Sequence, residues 1–250
     1  MLSEPTLAPA KINLALHVTG QRDDGYHLLD SLVVFAGVGD TISARASTSL
    51  TLSVTGPFAE GVPTDGRNLV LQAAELLRRS RDVRLGAHIT LKKVLPHAAG
   101  IGSGSSDAAA TLDLLSRLWK VDPLPVDDAQ VVGLGADVPV CRRAPSPVRM
   151  EGIGDKMGNL PRLPDCAMVL VNPGEAVPTA QVFGALATKI NPPLPAIPPG
   201  LDFSGFCDWL SSTRNDLQPP AEAIAPGITK ALALLRRQPE VACAVMSGSG

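Results

Sequence analysis

Between Leu95 and Trp119 the sequence reads LPHAAGIGSGSSDAAATLDLLSRLW, which sets Gly100, Gly102 and Gly104 among Ser103, Ser105 and Ser106 just ahead of an Ala/Leu-rich stretch. Residues of these types at a strand-to-helix junction suit an anion. Glycine lets the backbone come close and visit positive φ, the unpaired amides of a helix's first turn point outward, and the helix dipole places about half a positive charge there. Serine hydroxyls add donors for phosphate oxygens. A flexible Gly/Ser connector is the alternative, although a connector has no need to end in a serine-capped amphipathic helix. Two common phosphate motifs do not fit. No Lys follows the glycines as a P-loop requires, and Ser105 stands where the last Gly of GxGxxG would fall.

Other residues stand out singly. Tyr26 is the one tyrosine in a chain with five Phe and two Trp, and it sits in the polar turn DGYH. It is either a ligand face or a ring snorkelling out of a plain turn. His97, beside Pro96, could sense phosphate through its ordinary pKa of about 6.5, or be a bystander. The four cysteines, Cys141, Cys166, Cys207 and Cys243, include no CxxC pair and have no His at zinc-ligand spacing. They read as small hydrophobes, and no metal ligand is assigned.

Periodicity supplies the elements that must position these groups. Ile12, Leu14, Leu16 and Val18 alternate as in a half-buried strand, which puts Lys11, Asn13, Ala15 and His17 on the opposite face. A second alternation, Val83 through Leu91, predicts a strand running on through Lys92 and Lys93 to Pro96, and shorter β candidates cover 28–36, 41–46 and 50–55. Helical spacing links Leu69, Ala73, Leu76 and Leu77, and again Ala108, Leu112, Leu115 and Leu118. The prolines from Pro192 to Pro199 predict a surface loop. After the Pro- and Gly-rich stretch 145–164, CAMVLVNPG predicts a new β-type unit. Weak helices follow near 178–187, 205–211 and 226–237, and VACAVM at 241–246 is a last strand candidate. The expected division is a domain of 1–150 and a second of 151–250.

The totals exclude several classes. With 250 residues, 45% hydrophobic and 18% charged, the chain can bury a large core and is not intrinsically disordered. Twenty-two Lys and Arg against 24 Asp and Glu, a formal charge of −2, argue against nucleic acid as a partner. Apolar runs such as Ala167 to Val171, with Cys166 before it, are far short of the ~20 residues that cross a bilayer, so no membrane partner is expected. The start MLSEPTLAPAKINL has no basic-then-apolar pattern, which predicts a cytoplasmic protein without a secretory signal. No self-complementary patch is marked, and the oligomeric state is left open.

Taken together and in order, PAKINL at 9–14, DGYH at 24–27, the loop at 96–106, LGADVPV at 134–140 and MSGSG at 246–250 resemble the GHMP small-molecule kinases. Within that superfamily DGYH, GADVP and EGIGDKM at 151–157 are most similar to the 4-diphosphocytidyl-2-C-methyl-D-erythritol kinase family. The resemblance spans essentially the whole chain. It implies an α+β fold of two domains, a ribosomal S5 domain 2-like N-terminal domain and a ferredoxin-like C-terminal one. It also implies ATP and Mg2+, with a cytidine-diphosphate-linked polyol as acceptor, phosphorylated at its 2-hydroxyl. On the matching positions, Lys11 and Asp137 become the catalytic pair. Pro96, Gly100, Ile101, Gly102, Ser103, Gly104, Ser105 and Ser106 become the phosphate loop, with Asn68 and Lys93 lining the adenine site. Asn13, Tyr26, His27, Thr179 and Phe183 become the substrate residues, with Tyr26 and Phe183 stacking on cytosine and His27 reading its edge. None of these roles follows from spacing. Asp137 also reads as an Asx turn before Pro139, Lys11 as a solvated strand lysine, and Phe183 as core.

The sequence departs from the family pattern in places. Val33 stands where an aromatic often closes the cytosine pocket, and Ser103 replaces a more usual glycine, which tests whether the backbone there needs positive φ. The stretch 127–134 is about two residues short for the helix the family has before GADVP. The family continues roughly 25 residues past Gly250, enough for a helix and a strand, so a truncated chain is expected. Two other readings remain: a superfamily kinase acting on mevalonate, homoserine or a sugar, and a non-catalytic nucleotide-binding relative.

Overall fold

The first strand, β1 (Thr6–Gln21), follows the expected alternation but is buried on both faces: Ile12, Leu16 and Val18 on one, Lys11, Asn13 and His17 on the other. The computed structural model describes residues 4–97 and 99–250; Met1 to Ser3, part of the reading of the N-terminus, and Ala98 of the loop lie outside the described residues. After β1 come β2 (His27–Ser47), β3 (Thr51–Thr55), α1 (Leu69–Ser80), β4 (Gly86–Lys92), α2 (Ser103–Trp119), α3 (Ala129–Leu134) and α4 (Asp137–Cys141). They are followed by β5 (Val148–Gly152), β6 (Lys156–Gly158), α5 (Thr179–Gly184), α6 (Phe203–Ser211), α7 (Gln218–Ile224) and α8 (Gly227–Arg236). The fold is α+β with a mixed sheet, and the chain forms two compact units that interleave in sequence.

The first unit takes residues up to Lys11, Phe35–His97 and Gly102–Pro145. Within it β2 pairs antiparallel with β4, Ile42 opposite Leu91 and Ala44 opposite Ile89, and β4 pairs parallel with β3. Those inward residues meet Val70, Ala73, Ala74 and Leu77 of α1 and Ala108, Leu112 and Leu115 of α2 in one core. The expected strand at Val83 begins only at Gly86, Leu85 being exposed, and ends at Lys92.

The second unit holds Ile12–Val34, the described residues of 98–101, and Ser146–Gly250. Here β2 pairs antiparallel with β5, Leu29 opposite Gly152 and Val33 opposite Val148, and β5 pairs with β6. Leu16 and Val18 pack with Val182, Leu217, Ala221 and Ile228, while Ala15 and Leu32 pack with Phe206, Trp209 and Leu210.

Three expectations are corrected. The candidates 28–36 and 41–46 are one strand, β2, which runs unbroken through Gly37 and Gly39. Gly39 lies directly against the carbonyl of Ala8, where any side chain would collide. The run at 166–171 is not a strand: Met168 to Val171 are exposed and no ladder partner occurs among the described residues, so an apolar pattern alone does not make a strand. Residues 241–246 likewise form no strand. The 192–199 loop, and helices near 178–187, 205–211 and 226–237, are present.

Candidate functional site

In the first unit, Lys11 Nζ donates to Asp137 Oδ2 at 2.8 Å. The lysine side chain is 6% exposed and the aspartate 34%, so a sealed ammonium grips a carboxylate that solvent can reach. Asp137 is not an Asx turn; it opens α4, where a first-turn acid is favoured by the helix dipole. The α3 segment, six residues long and capped by Asp128 Oδ1 on the Gln130 amide, leads into it. Cys141 at the far end of α4 is buried, and burial pushes its thiol up so that it stays protonated.

The glycine-serine loop packs onto this pair. Gly102 has φ +59, which favours glycine, and a Cβ there would press on Lys11, standing 3.1 Å from its Cε. Gly100 is also left-handed, at φ +63, whereas Ser103 is the first residue of α2 with no positive φ, so a side chain is tolerated there. Ser106 Oγ donates to the carbonyl of Pro9 at 2.7 Å, tying the first turn of α2 to β1 just before Lys11. Ile101 is buried, and a Cβ added at Gly104 would make only an ordinary contact, 3.6 Å, with Leu69. Ser105 lies near Gly135 of the link between α3 and α4.

Two residues matched to the adenine site are otherwise engaged. Asn68 caps α1, its side chain accepting from the Val70 amide at 2.9 Å and donating to Pro63 O at 2.7 Å. Lys93 is fully buried and donates to Asp40, to Asp107 Oδ2 at 2.9 Å and to Ser103 Oγ at 3.0 Å. Asp40 in turn accepts from the amides of Val94 and Leu95. Sequence reasoning missed Asp40 and Asp107; only Asp40 carried a signal, a charge between two stretches of β-type residues. Burial raises the Asp107 carboxyl to about 7, Lys93 opposing and Asp40 adding to the rise, and its Oδ1 has no partner. His97 is occupied by a ring hydrogen bond to Phe58 O at 2.8 Å.

In the second unit, the turn after β1 is closed by the Arg22 and Gly25 amides, with Gly25 at φ +90, and it presents Tyr26 at 62% exposure. His27 and Phe183, the latter on α5, stack with ring centroids 4.9 Å apart and planes at 29°. Tyr26 has no ring contact among the described residues. His27 Nε2 is buried without a partner, and burial together with Lys189 lowers the imidazole pKa, so it is neutral at pH 7 and can offer one donor and one acceptor nitrogen. Val33 is fully buried.

Asn13 of β1 is buried in the same unit. Its amide nitrogen donates to Ser31 Oγ at 2.7 Å, its backbone N–H to Ser247 Oγ at 3.0 Å, and its buried Oδ1 has no partner. Ser247 passes the chain of bonds to Gly100 O at 2.9 Å, so the last glycine-rich motif holds the start of the loop. Thr179 Oγ1 and Ser249 Oγ share a hydrogen bond of 2.8 Å.

For cofactors, the fit is as follows. Left-handed Gly102 and the hydroxyls at the start of α2 suit a polyphosphate. No group of three or more His, Cys, Asp or Glu that could hold a metal occurs among the described residues. Magnesium usually binds through substrate phosphate oxygens and water with one or two carboxylates, so it does not need such a group.

Comparison with known proteins bears on the same residues. A model of the GHMP kinases N terminal domain matches residues 68–144, which contain the loop, Lys93 and Asp137. The chain is 54% identical over 244 residues to the 4-diphosphocytidyl-2-C-methyl-D-erythritol kinase of Jannaschia sp. (strain CCS1), covering 97% of this chain and 84% of that one. It is 53% identical over 245 residues to the kinase of the same name from Cereibacter sphaeroides (strain ATCC 17029 / ATH 2.4.9), with 97% and 85% covered. Among solved structures, a 4-(cytidine 5'-diphospho)-2C-methyl-D-erythritol kinase superposes with a TM-score of 0.74 at 29% identity, covering 98% of this chain and 87% of that one. A phosphate-type loop seated on a lysine–aspartate pair, in a chain so close to these relatives, places it in the GHMP superfamily, and it belongs to the 4-diphosphocytidyl-2-C-methyl-D-erythritol kinase family.

Proposed function

We propose that this chain transfers the terminal phosphoryl group of ATP to the 2-hydroxyl of 4-diphosphocytidyl-2-C-methyl-D-erythritol, a step of the non-mevalonate route to isoprenoid precursors. The observation that carries the reading is the 2.8 Å pair of Lys11 and Asp137 under Gly102 of the loop. Phosphoryl transfer asks for positioning and charge neutralisation more than covalent help. Asp137 takes the proton of the attacking hydroxyl as its oxygen bonds to phosphorus and the bond to the ADP oxygen breaks. Lys11 holds the Asp137 carboxylate in place through their 2.8 Å contact and steadies the developing alkoxide. Asn13, through its free Oδ1, orients an acceptor hydroxyl.

Tyr26 and Phe183 offer faces to cytosine and neutral His27 offers its edge. Thr179 would lie near the acceptor. The phosphate loop, residues 96–106, takes the ATP phosphates, and Asn68 and Lys93 line the side toward adenine. Magnesium, when bound, screens phosphate charge. Residues 1–150 would be the N-terminal kinase domain and 151–250 the C-terminal one. No helix among the described residues is long and apolar enough to cross a membrane. The proposed site of action is the cytoplasm.

The test is ADP release measured on four acceptors: the cytidyl compound, mevalonate, homoserine and a sugar. Turnover confined to the cytidyl compound is expected. Preference for another acceptor, or ADP release that ignores the acceptor, would overturn the proposal. In the same assay Tyr26→Ala should raise KM for the cytidyl compound about tenfold, the scale of one base–aromatic stack, with KM for ATP nearly unchanged. Equal rises in both would count against base stacking.

A further inference from the structure

The buried lysine beneath the loop has its hydrogen bonds fully assigned. An ammonium has three donors and no acceptor, and the three of Lys93 go to Asp40, Asp107 and Ser103 Oγ. Ser103 Oγ therefore accepts from Lys93 and cannot donate back. Its own proton has no acceptor among the described residues, although the side chain is 91% buried and stands at the first residue of α2, directly after left-handed Gly102. A hydroxyl that accepts from a cation is polarised into a better donor, and a buried donor left without a partner is costly until a ligand or water takes it.

We propose that Lys93 is a positioning residue for phosphate recognition: held by Asp40 and Asp107, it fixes the Ser103 hydroxyl as a donor aimed at an oxygen of the nucleotide's phosphates. This rests on the reading of the loop as an ATP site. It assigns Lys93 to phosphate recognition through Ser103, where resemblance had placed it against adenine. It also gives a role to a serine that stands where the family more usually has glycine. Asp107 supports the arrangement, since its Oδ2 steadies Lys93 and its carboxyl, raised to about 7, limits the negative charge that the cluster sets beneath a polyphosphate. The charged or titratable groups around Asp107 are Lys93 after β4, Asp40 on β2 and Cys141 on α4, the last buried and protonated.

Equilibrium binding of adenosine, ADP and ATP to Ser103→Ala, set beside turnover, is the test. Loss of a hydrogen bond to a charged group should weaken ADP and ATP at least about tenfold, leaving adenosine and KM for the acceptor unchanged. Ser103→Gly should behave alike. Unchanged or tighter ATP binding, or an equal loss for adenosine, would overturn the proposal. The part played by Lys93 is read from a cycle in the Lys93→Met/Asp107→Asn background, which removes the cation together with one carboxylate and so protects folding. There Ser103→Ala should cost less than half as much in logarithmic affinity, whereas a fully additive cost would sink the positioning role. Turnover of the unaltered protein on ATP and the cytidyl compound is measured first. Its absence would speak against the kinase reading itself, while an active protein indifferent to Ser103→Ala would speak only against this inference.

Discussion

Asp137→Asn should lower kcat by about 10²- to 10⁴-fold, the range associated with losing a positioned general base. Asparagine has nearly the same shape, and its carbonyl can still accept from Lys11 Nζ, so the 2.8 Å contact has a substitute and the loop above it keeps its support. What disappears is the basic oxygen that receives the hydroxyl proton. ATP affinity should therefore stay within a few-fold of the parent, because nothing in the phosphate loop changes. Single-turnover rates together with equilibrium ATP binding separate the two effects. A kcat within threefold of the parent would remove Asp137 from the chemistry and leave Lys11 without a partner in the proposed mechanism.

The largest effect on stability should come from Lys93→Met, a loss of about 3–5 kcal/mol, which is typical when one member of a buried ion pair is deleted and the other charge is left uncompensated. Asp40 would keep its two backbone donors from Val94 and Leu95, but Asp107 would keep nothing for Oδ2. The sign with pH follows from Asp107 in the parent protein. Its folded carboxyl titrates near 7 against 3.8 as the reference, so between those values the folded state holds a proton that the unfolded chain has released. The stabilising contribution is complete below the unfolded value and is lost as pH rises through the folded one. Removing the ammonium takes away a group that favours the ionised form, so the deficit of Lys93→Met should be smaller at pH 5 than at pH 8. Denaturant unfolding at the two pH values checks both points. A deficit below 1 kcal/mol, or one that grows on acidification, would mean that the cluster is not held by Lys93.

The residues of this cluster also show where the sequence was readable. Strand β1 and helices α1 and α2 follow from spacing because each has one long, regular apolar pattern. Strand β2 does not, because Gly37, Gly39 and Asp40 interrupt it. Two of those interruptions have a use that is visible only in three dimensions: Gly39 makes room for the Ala8 carbonyl, and Asp40 receives Lys93 and two backbone amides. Helix α7 was hidden by Pro219 and Pro220, which read as breakers yet sit in its first turn, where a missing N–H is harmless. The runs at 166–171 and 241–246 misled in the other direction, since alternation or apolarity is only half of a strand and the pairing partner is the rest.

For the site, the loop was legible from composition alone, while Lys11 and Asp137, 126 positions apart, were connected only through family resemblance. Spacing carries no information about pairs that meet through tertiary folding. Asp107 was unreadable for a related reason. In sequence it is an ordinary acid in a helix, and only its burial beside Lys93 distinguishes it.

The same ammonium joins Asp40, whose carboxylate holds the Val94 and Leu95 amides just after β4, to Ser103 at the start of α2, so two places in the first unit are fastened to one buried charge before any nucleotide arrives. A slack glycine-rich segment would surrender conformational entropy on ligand capture. Freedom already given up during folding at Leu95 and Ser103 need not be given up again when a ligand is captured.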